Sequence, residues 1–190
     1  RRSRRSRKFS YSVAKYKIDT PENNIGRIAK IDNMDSCRKN MCNSYGILPK
    51  ETLTELHRYI PLEEGYTNEV AGPLYLEKLD GDNVYAIKVN PEHVNMGDEK
   101  EVDKISSHYN FHSHPQAAYI NHQCDIGWPS RDYYVTFLDG FFKDNTLFHL
   151  VVTVEGIYVL KINPCIQDEL IRYYNGLKNN SRKDQFIHDV

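Results

Sequence analysis

The sequence predicts an α+β domain, and three observations carry that reading. Stretches with apolar residues three and four apart are interleaved with alternating or continuously apolar stretches, in the order helix, strands, helix, hairpin, helix. The chain has 190 residues and is 39% hydrophobic, which suits one domain with a sizeable core. Its mean hydropathy is −0.67, and no apolar run approaches the ~18 residues of a membrane span.

Residues 1–46 read as an irregular, polar arm. It opens with Arg1, Arg2, Arg4, Arg5, Arg7 and Lys8, and no apolar segment follows that would make this run a signal peptide. The whole chain is nearly neutral, with 25 Lys and Arg against 26 Asp and Glu; without the opening run, 19 basic residues face the same 26 acidic ones, a net of −7. A body of that sign does not grip nucleic acid across its surface. The Arg-rich run is the candidate polyanion-binding segment, for nucleic acid or the acidic face of a partner, with a merely solvated terminus as the even alternative.

The packed domain is expected over 47–178. Pro49–Ile60 predicts a helix, with Leu53, Leu56 and Ile60 on one side and Pro61 as its stop. Val70–Leu79 and Asn83–Val89 predict strands joined by the turn Asp80-Gly81-Asp82. After a polar loop, Ile105–His114 reads as a strand entering a loop. Ser130–Phe142 predicts a helix begun by Pro129-Ser130, with Tyr133, Phe137 and Phe141 four apart. Leu147–Val154 and Ile157–Ile162 predict a hairpin about Glu155-Gly156, and Asn163-Pro164 opens a last helix to about Lys178, stopped by Asn179-Asn180. Residues 179–190 read as a tail. Cys37, Cys42, Cys124 and Cys165 form no CxxC pair and lack the density of a secreted scaffold, so they read as reduced, intracellular thiols.

The chemistry-bearing segment is Phe111-His112-Ser113-His114-Pro115. At a strand end, residues i and i+2 project from one face, so both imidazoles point into one space, and Pro115 ends the strand at an open rim. Neutral imidazole is a favoured zinc ligand, and catalytic zinc sites take three protein ligands and a water. An HxH pair in a chain of eight histidines is weak evidence by itself. Two further segments strengthen it: Glu69-Val70-Ala71-Gly72-Pro73-Leu74, with an acid opening an apolar strand, and Ser130-Arg131-Asp132 at a helix start.

Together, Glu69-x-x-Gly72-x-Leu74, His112-Ser113-His114-Pro115 and the Ser130/Asp132 element resemble the JAB/MPN family, in particular its zinc-bearing JAMM (MPN-plus) metallo-isopeptidases. The resemblance covers roughly 47–175 and implies a curved mixed β-sheet flanked by helices. It implies Zn2+ held by His112, His114 and an aspartate, with Glu69 as the general acid–base and Ser130 as a hydrogen-bond donor to the oxyanion. The implied substrate is an isopeptide bond in a conjugate of ubiquitin or a ubiquitin-like protein, the chemistry of a deubiquitinase. One element departs from the pattern: the family places Asp three residues after Ser, whereas Asp132 follows Ser130 by two. A helix turns about 100° per residue, so that change re-aims the carboxylate. Asp125 is the alternative ligand, at a family-like spacing from His114, but His122 then occupies the serine position and Gly127-Trp128-Pro129 breaks the helix. Asp132 is the favoured choice; His122 and Cys124 are also zinc-capable.

Other chemistries find no support: no GxxxxGK[ST] or GxGxxG phosphate loop is present, and the zinc-deaminase signature is missing. The competing reading is a non-catalytic JAB/MPN-like subunit of a larger protein assembly, since fold alone never settles function. Fourteen Tyr and the Arg-rich arm suit such a subunit, and the Trp128-Pro129-Ser130 element and the 154–158 hairpin look similar to JAB-like proteins of large DNA viruses. The expected location is intracellular, in cytoplasm or nucleus, or in a virion as a minor capsid component.

Overall fold

The computed structural model describes residues 14–16, 28–29, 45–60, 68–79, 84–98, 102–116, 119, 127, 129 and 131–189. Its strands are β1 (Ala14–Tyr16), β2 (Ile28–Ala29), β3 (Tyr45–Ile47), β4 (Val70–Lys78), β5 (Val84–Val89), β6 (Asn95–Met96), β7 (Tyr109–His114), β8 (Phe148–Thr153) and β9 (Gly156–Lys161). Its helices are α1 (Lys50–Arg58), α2 (Arg131–Lys143), α3 (Pro164–Asn175) and α4 (Asn180–His188). The strands make one mixed sheet in the order β1-β9-β8-β7-β4-β5-β3-β2, with β6 also beside β4. β7 and β8 run parallel, as do β3 and β5; the other pairs are antiparallel. The α+β class therefore holds.

Two apolar layers cover the two faces. On one, Leu56 and Ile60 of the α1 segment pack with Phe111, Leu150, Val152 and Ile157. Thr52 fastens α1 to the sheet by donating its hydroxyl to the Ile87 carbonyl at 2.7 Å, and Tyr59 stacks on Phe111 at 5.5 Å between centroids. On the other face, Phe137, Leu138 and Phe141 of α2 pack with Val151, Tyr158 and Leu160, and with Leu170, Tyr174 and Ile187 of the C-terminal helices.

Side-chain alternation along β7 follows from this division. Phe111 belongs to the α1 layer, so Asn110, His112 and His114 project toward the α2 layer. Register agrees, because Val151, the partner of His112 on β8, lies in that second layer. Three polar residues thus occupy positions that an ordinary buried strand would fill with Val or Ile. Gly72 of β4 is the companion feature: a Cβ there would meet Phe111 Cε1 at 2.7 Å and Val94 Cγ2 at 3.0 Å, so the close approach of β4 and β7 requires glycine.

Three readings need correction or refinement. The arm read as irregular contains β1 and β2, which extend the two sheet edges by pairing with β9 and β3. Residues 179–190, read as a tail, contain α4: Asn179 caps it by accepting from the Arg182 N–H at 2.9 Å, and Ile187 is buried in the second layer. Asparagine both stops helices and starts them, and the apolar pair Phe186-Ile187 decides in favour of a start. Cys165 is disulfide-bonded to a partner outside the described residues, so the reading of four reduced thiols fails and takes with it the cysteine argument for a reducing compartment. Among the described residues no helix is long and apolar enough to cross a membrane.

Candidate active site

The candidate site lies where β7 ends beside the start of β4. Main-chain pairing runs from Pro73↔Asn110 to Ala71↔His112, and beyond it the buried Ser113 hydroxyl accepts the Val70 N–H at 3.0 Å. Glu69 sits just past that point, its N–H bonded to the Asp98 carbonyl and its carbonyl to the Gly97 N–H, each at 2.8 Å. This clasp delivers a carboxylate that is only 3% exposed to the space in front of the histidines. Such an acid is carried inside only when it has work or partners there.

His112 and His114, 4% and 6% exposed, turn their Nε2 atoms toward each other across 2.9 Å, with ring centroids 4.8 Å apart. Their outer nitrogens determine what that contact is. The Asn110 amide is oriented by Nδ2, which donates to the carbonyls of Ile105 (2.9 Å) and Ser107 (3.3 Å), leaving Oδ1 to face His149 Nδ1. An amide oxygen only accepts, so His149 Nδ1 carries the proton, and its Nε2 accepts from His112 Nδ1 at 2.5 Å. At the other end, His114 Nδ1 faces the Gly127 carbonyl at 3.2 Å and must donate. In the neutral rings both Nε2 atoms therefore carry lone pairs, and the two lone pairs point at one another. That contact is repulsive unless a proton or a cation lies between them.

Burial, reinforced by His149 and His114, holds the His112 imidazole well below the ordinary histidine range. Burial, with His114 beside it, depresses His149 to about 3. Both rings are neutral at physiological pH, the form that ligates metals.

Tyr133 roofs the pair. Its ring stacks on His112 at 4.3 Å and 11°, tilts against His114 at 4.8 Å, and its hydroxyl donates to Glu69 Oε1 at 3.3 Å. Burial, then the charge of Glu69, raises its pKa and keeps the phenol protonated.

The far wall is pinned by Glu155 in the β8–β9 turn. Its carboxylate accepts from the Gly127 N–H at 2.7 Å, from the Tyr158 hydroxyl at 2.9 Å and from the Tyr119 hydroxyl. Burial raises the Glu155 pKa, but the bonds from Tyr119, Tyr158 and the backbone outweigh it and leave the carboxyl below its usual value. Because Gly127 also faces His114, Glu155 sets the position of that carbonyl. Glu155→Ala is expected to remove the carboxylate that accepts from the Tyr158 hydroxyl and from the Gly127 N–H, lowering stability by about 1–3 kcal/mol in a denaturant titration.

Of the residues expected from sequence, Glu69, His112 and His114 come together. Asp132 does not join them: it is exposed in the first turn of α2, and among the described residues no three His, Cys, Asp or Glu side chains are grouped to hold a metal ion. The one-residue shortening turns the next side chain, Tyr133, onto the histidines instead. Ser130, Asp125, His122, Cys124, Arg1, Arg2, Arg4, Arg5, Arg7 and Lys8 lie outside the described residues. Asn110, His149, Tyr133 and Glu155 were not anticipated. The spacing Asn110-x-His112-x-His114 was a usable signal for the first; the others depend on strand register and helix phase.

No family model matches the chain, and neither a curated protein nor a solved structure matches it.

Proposed function

We propose that this chain is a zinc-dependent hydrolase of the JAMM type, with a JAB/MPN-like fold, acting on isopeptide bonds in ubiquitin or ubiquitin-like conjugates. The observation that carries the reading is the pair of lone pairs converging across 2.9 Å, each fixed by a hydrogen bond at the opposite side of its ring. With Zn–N bonds of about 2.0–2.1 Å, a tetrahedral ion sets its nitrogens about 3.3 Å apart, so the rings have to part by only a few tenths of an ångström. His112 and His114 fit as two ligands, and Asp125, the alternative third ligand expected from sequence, lies outside the described residues. A zinc ion held there supplies Lewis acidity and a water acidified to a pKa of about 7.

The remaining work belongs to the chain. Glu69, buried and backbone-clasped, takes a proton from the attacking water and returns it to the departing lysine amine. Tyr133 orients Glu69 through its hydroxyl and excludes bulk water from the histidines. Ubiquitin-like specificity rests on the motif resemblance alone.

The roof itself favours a second reading, in which the site is a packed remnant in a structural subunit and a shared proton lies between the rings. Metal analysis of the purified 190-residue chain decides. The catalytic reading expects about one zinc per chain, lost in His114→Ala, together with cleavage of an isopeptide-linked ubiquitin dimer. A folded chain that takes up no zinc from solution would leave the structural reading in possession.

A further inference from the structure

We infer that His149, oriented by Asn110, is a positioning residue that holds His112 in the Nδ1–H tautomer and so presents Nε2 permanently as a donor atom; the inference rests on the metal reading above. The chain of contacts runs in one direction without a free choice. Two backbone carbonyls fix the amide of Asn110, its Oδ1 fixes the proton of His149, and His149 Nε2 at 2.5 Å fixes the proton of His112. Register builds the relay: Asn110 and His149 are direct partners on parallel β7 and β8, and His112 stands two residues further on the same face. The rings of His112 and His149 lie within 21° of coplanar, edge to edge with centroids 4.7 Å apart, the alignment that this hydrogen bond needs.

Ligating histidines usually give the second N–H to a carboxylate, a carbonyl or water. Here the acceptor is a neutral imidazole backed by a neutral amide. The relay orients the ligand without adding a negative charge behind His112.

The test uses the whole 190-residue chain and zinc itself. In metal-free protein labelled with 15N-histidine, ring nitrogen shifts report the tautomer of His112 directly, and the expected form is Nδ1–H. His149→Phe keeps an aromatic ring at this position and removes the acceptor; it is expected to shift His112 toward Nε2–H and weaken zinc binding about 10–100-fold in competition with a chromogenic chelator. His149→Gln, which restores an accepting oxygen, is expected to recover most of that affinity. An Nε2–H tautomer in the wild-type chain overturns the inference without any variant, which covers the case in which His149→Phe does not fold. Equal zinc affinity in wild type and folded His149→Phe also overturns it, while leaving the metal reading in place. A wild-type chain that binds no zinc overturns the metal reading, and this inference falls with it.

Discussion

On the zinc-hydrolase reading proposed above, Glu69→Gln is expected to reduce isopeptide hydrolysis by about 10²–10⁴-fold while leaving zinc content unchanged. The two halves of that result have separate causes. Glutamine is isosteric, so the Tyr133 hydroxyl at 3.3 Å still finds a carbonyl oxygen and the backbone clasp to Gly97 and Asp98 is untouched. An amide cannot take up the proton of an attacking water, so the chemical step loses its base. The converging imidazoles do not depend on that carboxylate for their geometry, which is set by His149 and Gly127. Zinc content measured beside turnover separates the outcomes. Full activity in the variant would remove Glu69 from the mechanism, and joint loss of metal and activity would make it a structural acid.

The second large effect is on stability. The metal-free chain is expected to lose stability as pH falls from about 6.5 toward 3, because His112 and His149 are held neutral in the fold and are free to protonate once it opens. The unfolded chain then binds more protons than the native one, so the stabilising difference is complete above about 6.5 and drains as the solution acidifies. Each ring steepens the loss by up to about 1.4 kcal/mol per pH unit. By pH 5 His149, held at about 3, removes about 2 kcal/mol, and His112 adds to that loss in the same direction, against the 5–15 kcal/mol typical of a domain. The groups facing the two rings are His114, the Asn110 amide, the protonated Tyr133 and, through its hydroxyl, Glu69. Denaturant titrations followed by circular dichroism in chelator at pH 7, 6, 5 and 4 read the slope directly. A level profile over that interval contradicts the buried neutral rings, and His149→Phe is expected to be shallower by one proton.

Much of the fold was legible because its signals are local. Pro49 and Pro61 bracket α1, the Glu155-Gly156 turn sets the β8–β9 hairpin, and Asn163-Pro164 opens α3 with the Asn163 side chain accepting from the Cys165 N–H at 2.9 Å. The residues that failed are those whose role depends on partners far along the chain. Asn179 reads as a stop until Ile187 is seen to have a core to enter. His149 is an unremarkable strand residue until parallel pairing places it against Asn110, 39 positions away. The phase of α2 is a matter of one residue, and sequence spacing located an acid near the helix start without showing that Tyr133 would be the side chain turned inward.

The phenol laid over His112 has a kinetic consequence. On the zinc reading proposed above, an ion at His112 would lie beside the Tyr133 ring, and movement of the leading turn of α2 would ease its departure. On that reading, stripping by a chelator is expected to saturate as chelator is added, so metal left behind after a short dialysis would report a slow door and not a tight embrace.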